Sequence, residues 1–152
     1  MPAFVTFGRI LFAVLFIYSG ATKLFDISGV AATIDKAVLG TLPALVTPYM
    51  TQLADLTGMP MPKMLAIAVG VFEVIAGLMI AVNFGARFFA ILLIIFVTTA
   101  TFYFHDFWNQ AAPSDGKMLI EALKNLSIIG ALFMIAGYGR HSQVSEPVYG
   151  DV

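Results

Sequence analysis

The chain has 152 residues, of which only eight are lysine or arginine and nine are aspartate or glutamate, while 60% are apolar or aromatic. With a mean hydropathy of +0.93, this much apolar surface cannot be hidden inside a water-soluble globule of such size. A net charge of −1 offers no footprint for phosphates, which excludes nucleic-acid binding. The solvent of this protein is lipid. The absence of cysteine further excludes disulfide staples, thiol relays, iron–sulfur clusters and thiolate metal sites.

Taken in chain order, four apolar runs stand out, at about 3–22, 64–82, 88–104 and 119–138. Each approaches the ~20 residues that a helix needs to cross ~30 Å of hydrocarbon. Lipid offers no partners to backbone amides, and the runs are continuously apolar rather than alternating, so helices are expected and barrel strands are not. The first run is already apolar before Arg9, which favours a retained span over a cleaved leader. Between the first two spans, an outer segment at 23–63 has its own pattern. Val30, Ile34 and Val38 recur every fourth residue and Gly40 follows as a stop, so a short amphipathic helix is expected. A second is expected from Thr47 as N-cap, with Pro48 at the first position, to Gly58. Both are too short to span and should lie at the interface or cap the mouth of the bundle.

Asn83, Gly85 and Arg87 join the second and third spans tightly, giving an antiparallel hairpin, and the third and fourth are joined through 105–116. The expectation is one all-α integral membrane domain over 1–152, a four-helix bundle with a tail at 139–152. Both termini then share one side. Loop-side lysines oppose cytoplasmic termini in a raw count. Setting aside Lys23 and Lys124 as site residues brings the count near balance, and cytoplasmic termini are the reading adopted.

Chemistry concentrates in two places. Glu73 lies halfway along a span, where an ionisable group is costly and faces the bundle interior. Arg9 sits about six residues into the first span and Glu73 about eight before the end of the second, so their depths differ by about 3 Å and an Arg9–Glu73 structural ion pair is expected. The alternative for Glu73 is a carboxylate that handles a proton or anchors a ligand. Ala66, Gly70, Gly77 and Ala81 lie near one face of the same helix, where small residues let a neighbour approach closely.

The second place is the loop-side mouth. Gly20 and Lys23 close the first span, His105-Asp106-Phe107-Trp108 closes the third, and Lys117, Glu121, Lys124 and Asn125 open the fourth. Cations and an imidazole can donate to the oxygens of a quinone head or a small anion, and aromatics can stack on it. The competing reading is an interfacial belt, with Tyr103 and Trp108 at the headgroups and lysines snorkelling. A metal or haem is not expected: His105 and His141 fall at opposite ends of the bundle, and His105 with Asp106 is short of a ligand set.

These residues also carry a likeness. Arg9 with Ser19-Gly20-x-x-Lys23, Glu73-x-x-x-Gly77, Phe104-His105-Asp106-Phe107-Trp108 and Lys124-Asn125 resemble, in order and spacing, the DoxX family of small bacterial membrane proteins. The resemblance implies a four-helix, multi-pass protein of the bacterial inner membrane. Its name-giving relatives are associated with a thiosulfate:quinone oxidoreductase. On that footing the expected function is a quinone-associated subunit of a membrane redox complex; any catalysis would be as part of a quinone-linked oxidoreductase. Glu73 would handle a proton, and Lys23, His105, Trp108, Lys124 and Asn125 would contact the quinone. No covalently bound cofactor is expected, electron carriers sit on soluble or membrane partner proteins, and an oligomer is compatible. The alternatives are a non-catalytic scaffold or assembly subunit, or a small-solute or proton pathway.

Overall fold

A computed structural model describes residues 3–41, 45–105 and 116–138 of the chain. Six α-helices follow in order: α1 (Ala3–Phe25), α2 (Ile27–Ala37), α3 (Thr47–Thr57), α4 (Met61–Ala81), α5 (Ala86–Phe104) and α6 (Lys117–Tyr138), with a short 3₁₀ turn at Leu39–Thr41. No strand occurs among the described residues. Four of these helices, α1, α4, α5 and α6, are long and apolar enough to cross a membrane.

The helix ends depart from the apolar runs in a consistent way. α1 continues three residues past Thr22, because the hydrophobic signal stops at Lys23 but helical hydrogen bonding does not. Asp26 then breaks the helix and caps the next one, its Oδ1 accepting the Gly29 N–H at 3.0 Å. α3 starts at Thr47 itself, with Val46 before it making no side-chain cap, and it stops at Gly58 in the left-handed region at φ 66°. Asn83 and Gly85, at φ 60° and 57°, turn the chain between α4 and α5. Such angles suit glycine and asparagine and strain other side chains.

The spans pack mainly in the sequence α1–α4–α5–α6. The α1–α4 seam is the closest, because glycines form it. A Cβ on Gly20 would lie 2.5 Å from the Gly70 carbonyl oxygen, and one on Gly77 would lie 2.8 Å from Ile17 Cγ1. Of the small-residue face expected on the second span, Gly70 and Gly77 are covered by α1. Ala13, Phe16, Ala76, Ile80, Ala90, Leu93 and Leu132 fill the terminal-side half with an apolar core drawn from all four spans. At the other end α2 lies over the bundle, its Ala31 and Ile34 packed with Ala66 of α4 and Phe104 of α5. Of the two expected amphipathic helices, α2 is thus the cap. α3 buries no residue.

Candidate functional site

Two glycines bring the charged residues together. Gly20 presses on Gly70 and on Glu73 Cβ, and this fixes α1 and α4 in a register that sets Ser19 and Lys23 beside the Glu73 carboxylate. Lys23 Nζ donates to Glu73 Oε2 at 2.7 Å and to Ser19 Oγ at 2.6 Å. Ser19 Oγ in turn donates to Glu73 Oε2 at 3.2 Å. The Glu73 side chain is 4% exposed and that of Lys23 is 27% exposed, so the carboxylate is buried while the lysine stays partly exposed.

The ion partner of Glu73 is accordingly Lys23, not Arg9. In the antiparallel register Gly77 already stands against Ala13 and Ile17. Arg9 lies another turn toward the terminal side, about 21 Å of helix from Lys23, where it is buried and has interactions of its own. Depth counted from the ends of apolar runs misplaces the pair, because those ends are not level: with Gly20 against Gly70 and Ala13 against Gly77, the start of α1 runs past the end of α4 on the terminal side. The usable signal was the glycine spacing: Gly20-x-x-Lys23 meets Gly70-x-x-Glu73.

The ion pair forms one wall of a cavity of about 910 Å³ at the loop-side end. α5 and α6 supply the facing wall, with Phe96, Tyr103, His105 and Asn125, and α2 supplies the roof, with Thr33 and Ile34. Asn125 is held by donating Nδ2 to Thr101 Oγ1 at 2.9 Å, and that hydroxyl donates to the Val97 carbonyl at 2.7 Å. The Phe96 ring stands edge-on to Phe72 at 5.7 Å, which fixes the aromatic floor between α4 and α5. The Nδ1 atom of His105 is buried without a hydrogen-bond partner among the described residues. A buried polar atom left so is costly, and a ligand oxygen or a water would relieve it.

Of the residues expected at the mouth, Lys23, His105 and Asn125 line this cavity together with Glu73. Lys124 does not. Its side chain is 61% exposed and pairs with Glu121 at 2.6 Å on the outside of α6. Neighbouring helical positions diverge by about 100°, and here Asn125 turns inward to Thr101 while Lys124 turns to Glu121. Trp108 and His141 lie outside the described residues. Sequence reasoning did not assign Ser19, the hydroxyl that bridges lysine and carboxylate, or the α2 residues of the roof. Ser19 stands four residues before Lys23, one helical turn away, and that spacing was its signal. Among the described residues, no group of three His, Cys, Asp or Glu side chains gathers as a metal site would require.

The arrangement is therefore a mostly apolar chamber with a few convergent polar groups, the usual composition of a small-molecule site. It can hold oxygens of a ligand through donors on two walls and can offer an exchangeable proton from the Lys23–Ser19–Glu73 cluster.

Comparison with known proteins agrees with the residue-level likeness. The inner membrane protein YphA of Escherichia coli (strain K12) is 28% identical over 135 residues, covering 89% of this chain and 82% of the relative. No solved structure matches the chain. The DoxX family model matches residues 4–106, a stretch running from α1 through α5 and carrying Ser19, Lys23, Glu73 and His105. The chain belongs to the DoxX family.

Proposed function

We propose that this DoxX-family inner membrane protein is a quinone-associated subunit of a membrane redox complex. The single observation that carries the reading is the loop-side chamber: about 910 Å³, largely apolar, with Lys23 and Ser19 on one wall and His105 and Asn125 on the other. A quinone head is a flat ring with oxygens at opposite edges. Donors on facing walls suit that shape, and Phe96 and Tyr103 offer ring faces between them. Glu73, through Ser19 and Lys23, supplies or accepts the proton that accompanies reduction of a carbonyl oxygen. Electron carriers reside on partner proteins. Arg9 and Arg87 near the terminal-side ends favour cytoplasmic termini.

The test is purification in a gentle detergent, with mass spectrometry of co-purifying quinones and proteins, followed by equilibrium binding of a short-tailed ubiquinone or menaquinone. Micromolar binding is expected, weakened about tenfold or more in Lys23→Met, the loss of roughly one charge-assisted hydrogen bond. Glu73→Gln should keep the head-group affinity while slowing proton uptake. Binding of no quinone by the wild-type protein, or identical affinity in Lys23→Met, overturns the proposal.

A second reading has an observation of its own. Tyr49, Leu53 and Leu56 are exposed at i, i+4 and i+7 on α3, a surface that would serve a scaffold subunit recruiting a partner. Under that reading, Tyr49→Ser with Leu53→Ser abolishes complex formation and Glu73→Gln is without effect.

A further inference from the structure

Among the described residues, the chamber is walled by packed helix seams on every side but one. α1–α4, α4–α5 and α5–α6 each form a seam, and α2 lies across the top. Below, Phe16 lines the chamber and belongs to the terminal-side core, and so closes the floor. α1 and α6 both line the chamber, through Leu15 and Ser19 on one and Asn125 and Ile128 on the other, yet no comparable seam joins these two helices among the described residues. Leu15 shows the consequence. It lines the chamber and is 46% exposed, one turn from the exposed Leu11 and Tyr18 of the same helix.

The depth of the opening is also ordered. Leu15 lies one helical turn deeper in the membrane than Ser19, and Ile128 nearly one turn deeper than Asn125. The polar groups thus sit toward the loop side, and the gap between α1 and α6 sits toward the hydrocarbon. Its flanking residues, Leu15 and Ile128, are apolar. The chamber is also larger than a single substituted ring requires, near the upper end of the roughly 300–1,000 Å³ typical of small-molecule sites.

We infer that the gap between α1 and α6 is a lateral portal, and that the ligand is a bilayer-dissolved amphiphile. Its oxygen-bearing head is held at Lys23, Ser19, His105 and Asn125, and its long apolar tail leaves between Leu15 and Ile128 into the lipid. The inference rests on the quinone reading of the chamber and adds to it the tail and the route. The route has a physical advantage: the tail never crosses water, so no hydrophobic transfer cost opposes binding.

The experiment compares two ubiquinones on the protein in lipid nanodiscs, one with a single isoprene unit and one with a full-length polyprenyl tail. In Leu15→Trp/Ile128→Trp, the affinity for the long-tailed quinone should fall about tenfold or more while that for the short-tailed one changes less than about threefold. A photoreactive diazirine on the first tail unit should label unsubstituted protein around Leu15 on α1 and Ile128 on α6, a result independent of whether the double variant folds. Equal affinities for both quinones in the variant, or labels confined to α2 and α3, overturn the portal and leave the head-group site standing. Failure of the wild-type protein to bind either quinone removes both.

Discussion

The two ends of this bundle use the same four helices for opposite purposes. On the terminal side, Ala13, Ala76, Ala90, Leu93 and Leu132 interlock into a core with Leu93 and Leu132 fully buried. On the loop side the helices part around a chamber, and the polar residues Ser19, Lys23, Glu73, His105 and Asn125 line it. Lipid provides little hydrophobic drive between helices, so packing of small residues must hold them. The α1–α4 glycine seam, which runs through both halves, and the core of the closed half supply that packing. The open half can then give up contacts without loss of the fold.

Four substitutions break or sharpen this contrast. The largest effect is expected at Gly20→Val, where the seam common to both halves is at its tightest. A side chain there meets the Gly70 carbonyl, backbone that cannot yield, so the variant should lose its monodisperse peak in size-exclusion chromatography. Leu93→Ala in the closed half should cost about 2–5 kcal/mol by denaturant titration in detergent without altering quinone affinity. Asn125→Ala in the open half should reverse that pattern. Its stability cost is about 1 kcal/mol, the loss of the bond to Thr101, while ligand affinity drops severalfold. Lys124→Ala should change neither quantity, because its pair with Glu121 is on the outer surface. A loss of ligand affinity in Leu93→Ala equal to that in Asn125→Ala would dissolve the distinction between the halves.

Span number, helix type and the hairpin at Asn83–Gly85 were legible in the sequence because a membrane leaves few options: an apolar run of this length has to be a helix. Register was not. Arg9 and Glu73 looked level when measured from the ends of their runs, yet hydropathy reports where lipid begins and not how one helix slides on another. The glycines decide that. Gly20 and Gly70 admit only one close approach, and it delivers Lys23 to Glu73. Facing direction was half legible. Asn125 and Lys124 share a motif but diverge around the helix, so only Asn125 reaches the chamber. The roof was legible as an amphipathic helix, whereas its place over Ala66 and Phe104 depends on tertiary contacts that no local pattern records.

The Lys23–Glu73 pair also bears on how the chain is made. Its members are 50 residues apart, so α1 is synthesised before α4. Glu73 then enters hydrocarbon in the middle of its helix, at a cost that only a waiting cation and hydroxyl can offset. Lys23 and Ser19, already held at the end of α1, are that reception site. Insertion of the second span is therefore expected to depend on the first. A chain lacking Lys23 should show its defect during biogenesis, as delayed integration and proteolysis of the nascent protein.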